Sequence, residues 1–437
     1  MKLHPEAREL NRIIKKKSKI VYSFLSKRGK SIYFPKQGII SQSAEAKGKR
    51  FNATSGIAVE DDESPMRLKS IEQEINLDPR AVFPYASTYG LSELRHTWKK
   101  MLYQKNPSLH TKEVSVPVIS SAVTHGLSIV GYLFIDKNDS IIIPDLYWEN
   151  YNLIFENTYE AHVATFHLFK DDHLNLQALR QKLEEDTSKK KILLLNFPHN
   201  PTGYTPTIKE VKEIITIIQD VAEHGHELLV IIDDAYFGLV YESGIEQQSI
   251  FSYLADIHEN VLAVKVDGAT KEDYVWGLRI GFITFGIKNG SQALYEALEA
   301  KTSGAVRSTI SNASHLSQSL VLKAFQSSTY LQEKKEKYTI LKSRYEQVKK
   351  TLEEHEEYKE FFSALPFNSG YFMCIELKKS DGDKIRKFFL EKYSTGVISF
   401  GNILRIAYSA IVTTNIAQLF ENIYNACKNY NDSIKSN

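Results

Sequence analysis

The chain has 437 residues, 42% of them hydrophobic and 25% charged, enough for two to three domains with a sizeable core. Its 55 lysines and arginines against 53 acidic residues leave no net field pointing to nucleic acid or a membrane surface, and the local basic runs "RIIKKKSKIVYSFLSKRGK" and "DTSKKK" read as solvated faces or helix ends. Two cysteines far apart in sequence, Cys374 and Cys427, exclude a disulfide framework or a cysteine-based metal site and predict a reducing compartment.

The opening "MKLHPEAREL" lacks the apolar core of a signal peptide, and no apolar run reaches the roughly 18 residues of a membrane span, so a soluble cytoplasmic protein is expected. The segment up to residue 80 reads as helix and extended loop with no core of its own. From Val114 to Val266 short apolar runs alternate with helical patterns: "VSVPVI", "SIIIP", "HVATFHL", "KILLLNF", "ELLVIID" and "VLAVKVD" are each strand-sized and rich in β-formers. Helices are predicted for "LQALRQKLEED" and "TIKEVKEIITIIQDVAEHG", the second opening on threonine and closing on glycine as helix caps prefer. Strands that are apolar on both faces, alternating with helices, predict a largely parallel sheet covered on both sides. After "LRIGFITFG" the chain turns helical through "SQALYEALEAK" and a long charged stretch, and it ends in a mixture of short strands ("YFMCIEL", "ILRIAYS") and helices.

In such sheets ligands bind beyond the carboxyl ends of the strands, so the residues ending each run are the ones to interrogate. "LLLNF" runs into "PHNPTGY" with Asn200; "VIID" ends in Asp233, followed by "DAY" and Tyr236; "AVKVD" is followed by "GATK" and Lys271; Arg279 stands eight residues after that lysine. Singly, each has a bland reading, since Asn-Pro turns are common, strand-end aspartates cap helices and lone lysines sit on surfaces.

Their order and spacing resemble the pyridoxal-phosphate (PLP) aminotransferases of fold type I, the class I/II group, and within it the aspartate and aromatic branch, from about Phe51 to the C-terminus. The resemblance implies an α/β fold with a mostly parallel sheet in a three-layer α/β/α cofactor-binding domain and a smaller α+β domain. Residues 1–80 would form an N-terminal arm and part of the small domain, 81–325 the large domain and 326–437 the small C-terminal domain. It also implies a homodimer with shared active sites, and small-molecule amino acids and 2-oxo acids as partners.

Residue by residue, Lys271 matches the lysine that forms the internal Schiff base and then moves the proton. Asp233 matches the carboxylate that pairs with the pyridine nitrogen, and the D-x-A-Y spacing to Tyr236 rejects its neighbour Asp234. Asn200 and Tyr236 match the donors to the cofactor's 3-oxygen. Arg279 takes the phosphate-binding guanidinium position, with Ala122, Val123 and Thr124 in the phosphate loop. Ala122 stands where glycine is usual and Gly268 where serine is usual, with Thr270 a compensating hydroxyl. Trp148 resembles the aromatic that stacks on the pyridine ring, with Tyr147 a competitor and a core tryptophan the alternative. Arg405 matches the arginine that clamps the substrate α-carboxylate, a strand-edge salt bridge being the alternative, and Gly56 the glycine beside it. Tyr85 and Arg307 match groups that reach across the dimer, Tyr85 to the partner's phosphate and Arg307 to the distal carboxylate of aspartate or glutamate.

The implied activity is a ping-pong exchange of the amino group between an L-amino acid, aspartate or glutamate favoured, and a 2-oxo acid. Aromatic or other neutral donors remain an alternative, as does another PLP reaction, such as a lyase, on the same scaffold. A PLP sensor fused to a DNA reader conflicts with the short, irregular first fifty residues, and a dinucleotide-binding enzyme with the absence of a G-x-G-x-x-G after the first strand.

Overall fold

A computed structural model describes residues 3–32, 38–378 and 381–435. Its central sheet has seven strands: β1 (Val118–Ser121), β2 (Ser140–Pro144), β3 (His162–Phe166), β4 (Lys190–Asn196), β5 (Glu227–Asp233), β6 (Val261–Asp267) and β7 (Ile280–Gly286). They lie in the order β1–β7–β6–β5–β4–β2–β3. Every neighbouring pair is parallel except those of β7, which runs antiparallel to both β1 and β6. The near-continuous apolar sequences of β4, β5 and β6 suit burial on both faces. Along β5, Leu229 and Ile231 join one apolar cluster while Leu228, Val230 and Ile232 join another. The same alternation along β4 makes the sheet the middle of three layers.

Of the run "VSVPVI" only Val118 onward enters the sheet. Pro117 has no N–H to give a ladder, so the strand starts after it. Helix Ile208–Glu223 joins β4 to β5 and carries a capping box, the Thr207 hydroxyl and Glu210 carboxylate satisfying each other's backbone amides. Beyond its end Gly225 takes φ 86°, the left-handed conformation that closes many helices.

A second, antiparallel sheet contains β8 (Phe362–Ala364), β9 (Met373–Leu377), β10 (Ile398–Phe400) and β11 (Ile403–Ile406), in the order β8–β9–β11–β10. The helix Tyr330–Glu354 starts with the Tyr330 hydroxyl donating to Asp273, after β6, and further along its Arg344 donates to the Ser409 carbonyl, after β11. The N-terminal segment holds short helices, turns and a strand, Phe51–Asn52, paired with Thr395–Gly396, and its helix Ile39–Glu45 packs against the second sheet. There the Gln42 side-chain amide donates to the Ser399 carbonyl at 3.2 Å and accepts from the Ser399 N–H at 2.7 Å. An edge strand is thereby paired by a side chain. Among the described residues no helix is long and apolar enough to cross a membrane.

Candidate active site

Strands β4 and β5 end side by side, Asn196 in register with Asp233. The Asn196 amide donates to the Asp233 carbonyl at 2.7 Å, and its oxygen accepts from the Asn200 N–H at 2.9 Å. One side chain thus ties the aspartate's backbone to the proline-rich corner, in which the Phe197–Pro198 and Asn200–Pro201 peptides are cis. Gly203 closes the corner at φ 73°, and a Cβ there would stand 1.9 Å from the Phe372 carbonyl oxygen. Only glycine fits.

Asp233 is 2% exposed. Burial pushes its carboxyl up to about 6, against the Tyr151 hydroxyl, which donates to Oδ2 at 2.7 Å, and the Ala235 N–H, which donates to Oδ1 at 3.1 Å. Lys271 follows β6 on the single turn Ala269–Glu272. Burial brings its amine down to about 8; Asp233 opposes that shift and Arg279 adds to it. Its Nζ lies 5.2 Å from the centre of the Tyr236 ring. Tyr236 is itself buried, and burial holds its phenol protonated.

One cleft brings together Val123, Thr124, Trp148 and Asn200 with Asp233, Tyr236, Lys271 and Arg279. Thr270, Gly56 and Arg405 line its continuation towards the second sheet. Tyr147 borders an adjoining cavity instead and donates its hydroxyl to Asn152 Oδ1 at 3.1 Å. Arg405, on β11 and 3% exposed, donates to Asn200 Oδ1 at 3.3 Å and to the Thr54 carbonyl at 3.1 Å, and lies 4.3 Å over the Phe372 ring. Its Nε finds no partner among the described residues. A Cβ at Gly56 would meet nothing nearer than the Phe372 ring at 3.9 Å, so packing within the chain does not demand that glycine.

Of the two departures from the family pattern, only the one at Gly268 has a steric reason. Ala122 adopts φ 65°, the region glycine enters freely and alanine only with strain. It opens helix Ala122–Phe134 without lining the cleft, whereas Val123 and Thr124 in the first turn do line it. A Cβ at Gly268 would lie 2.4 Å from the Ile280 carbonyl oxygen, so serine has no room there. The buried Thr270 hydroxyl has no partner among the described residues and is free to serve as a donor.

Tyr85 is 91% exposed and Arg307 lies on the exposed face of helix Gln292–Ile310; neither lines the cleft of its own chain. Sequence reasoning passed over Tyr151 and Asn196. Asn196 ends its apolar run, a signal the strand-end rule could have used, whereas nothing local marks the phenol of Tyr151.

A family model described as aminotransferase class I and II matches residues 58–423. The chain belongs to the class I and II aminotransferases. Among curated relatives of this chain, an aspartate aminotransferase of Sulfolobus acidocaldarius is 29% identical over 203 residues, 46% of this chain and 47% of that protein. An aromatic-amino-acid aminotransferase of Thermococcus litoralis is 24% identical over 230 residues, 52% of this chain and 55% of that protein. The chain therefore matches about half the length of these relatives. In fold, an aminotransferase of Anaerococcus prevotii superposes with a TM-score of 0.82 at 23% identity, covering 92% of this chain and 98% of that one.

Proposed function

We propose that this aminotransferase exchanges the amino group between an L-amino acid and a 2-oxo acid with pyridoxal 5′-phosphate as cofactor. The observation that carries the reading is a buried amine, Lys271, lowered to about 8, sharing one cleft with a buried carboxylate, Asp233, raised to about 6. Opposed shifts of this kind mark paired acid–base work.

The donor set fits the cofactor. The Thr270 hydroxyl, without a partner among the described residues, the Arg279 guanidinium and the first-turn amides of helix Ala122–Phe134 suit a phosphate. Lys271 would anchor the group covalently, Asp233 would pair with the pyridine nitrogen, Asn200 and Tyr236 would reach the 3-oxygen, and Trp148 would cover the ring. When bound, PLP supplies a carbonyl that accepts the amino group and a ring that disperses negative charge. Lys271, with its lowered affinity for protons, takes and returns the substrate's α-proton. Arg405, whose Nε has no partner among the described residues, holds the α-carboxylate in the plane of its fork, next to Gly56.

Exposed Tyr85 and Arg307 suit a homodimer in which each chain completes its partner's site, Tyr85 at the phosphate and Arg307 at a substrate side-chain carboxylate, which favours aspartate and glutamate. A second reading, an aromatic or neutral donor, is favoured by the apolar side chains of Ile39, Ile57, Trp148 and Phe372 along the substrate side of the cleft. Both cysteines are unpaired and buried, in keeping with a cytoplasmic enzyme.

Lys271→Ala tests the reading. It should abolish turnover and remove the borohydride-reducible cofactor link while the circular dichroism spectrum stays that of a folded chain. A reducible adduct persisting in that variant would overturn the assignment. A panel of aspartate, glutamate, tyrosine and alanine against 2-oxoglutarate and oxaloacetate separates the two donor classes.

A further inference from the structure

We propose that Tyr151 is a positioning residue whose hydroxyl keeps Asp233 ionised and fixes the plane of its carboxylate. Asp233 has one donor on each oxygen: the Tyr151 hydroxyl on Oδ2 at 2.7 Å and the Ala235 N–H on Oδ1 at 3.1 Å. The second donor belongs to the turn that follows the strand. The first comes from a separate element, the helical segment that begins beside Trp148, and it is the one side-chain hydrogen bond the carboxylate receives among the described residues.

The phenol is built to point there. Tyr151 is 2% exposed, and its ring is wedged by the edge of Trp148 at 5.6 Å and by Phe155 at 6.1 Å between ring centres. Its hydroxyl therefore has little freedom to turn elsewhere. Burial and the neighbouring Asp233 hold the phenol well above its usual range, so it stays a donor at every working pH.

The other charged and titratable groups facing Asp233 are few. Lys271, from the turn after β6, favours the ionised form and Asp234, next along the chain, opposes it. Tyr236 faces it from the following turn, with Arg405 of β11 beyond that phenol and Arg279 beyond Lys271. Burial dominates them all and pushes towards the neutral acid. Losing a hydrogen bond to the charged form leaves that push less opposed.

The inference rests on Asp233 as the partner of the pyridine nitrogen only for its bearing on catalysis; the link between Tyr151 and Asp233 can be read without cofactor. In the full-length chain freed of cofactor, an infrared titration follows the Asp233 carboxyl, assigned by its loss in Asp233→Asn. Tyr151→Phe should raise the protonation midpoint by about one pH unit or more. Installing 3-fluorotyrosine at 151, a stronger donor of the same shape, should lower it. In the loaded enzyme the acid limb of the kcat profile should move upward with Tyr151→Phe. A midpoint unmoved by either replacement would overturn the proposal, and the fluorinated residue keeps it testable should Tyr151→Phe fail to fold. If the midpoint moves while Asp233→Asn retains full turnover, the proposal stands and the role given to Asp233 in catalysis falls.

Discussion

Asp233 ends strand β5 on the cleft side, and the alternation of side chains along a strand turns Asp234 the other way. There Asp234 meets the buried Lys265 ammonium and accepts from the Ser249 hydroxyl, while Lys265 also pairs with Asp267 at 3.2 Å. Asp234 is thus a compensated charge, and Asp233 is largely an uncompensated one. An unfolded aspartate titrates near 4, but Asp233 in the folded chain titrates at about 6. Between those values the folded chain binds more protons than the unfolded one. Stability therefore falls as pH rises through that window, and the penalty is fully present above it. A gap of about two pH units corresponds to roughly 2–3 kcal/mol. In cofactor-free protein, Asp233→Asn should accordingly raise the melting temperature at about pH 7.5 and lose that advantage near pH 4. The same substitution should lower kcat of the loaded enzyme about 10²-fold. Asp234→Asn should instead lower the melting temperature at about pH 7.5, because it strips the buried Lys265 of a partner. Thermal unfolding of the two variants across pH checks both signs.

At the scale of the element, the turn between β6 and Lys271 is shaped by the strand packed against it. Strand β7 runs antiparallel against β6, and the Ile280 carbonyl closes the space a side chain at 268 would need. In the proposed site the hydroxyl contact would then fall to Thr270, whose oxygen has no partner among the described residues. Thr270→Val should weaken cofactor affinity about tenfold or more, the loss expected for a hydrogen bond to a charged group. Gly268→Ser should destabilise the chain without adding affinity; tighter cofactor binding in that variant would contradict the steric argument. The elements that sequence made legible were those specified locally: the apolar strands, the helix opening on Thr207 and closing on Gly225, and the asparagine, aspartate and lysine at strand ends. The antiparallel course of β7 was not legible, since partner choice in a sheet is set by residues far away in the chain. Tyr151 escaped for the same reason, its partner Asp233 being 82 residues distant. Gly268 looked like a lost contact until the neighbouring strand gave it a cause.

At the scale of the molecule, Phe83 and Tyr85 are 82% and 91% exposed, and Arg307 faces out on a neighbouring surface, so the proposed pair of chains has both apolar area and site residues to share. Mixing Lys271→Ala chains with Arg307→Ala chains should restore aspartate turnover in the hybrids, because one site then receives an intact lysine and the partner's arginine. Full aspartate activity in Arg307→Ala alone, or an active monomer in sedimentation, would argue against sharing. The corner that presents Asn200 has a consequence at this scale as well. The Gly203 carbonyl accepts from the N–H groups of Asn368 and Ser369 at 3.0 and 2.9 Å, and Thr205 and Asn368 exchange two further bonds at 2.9 and 2.8 Å. The loop that borders the candidate site is therefore also the stitching between the two sheets. Ligand binding and folding become a single linked equilibrium: whatever occupies the strand ends tightens the seam and raises the stability of the whole chain by mass action, and whatever loosens residues 368–370 loosens the grip on the ligand.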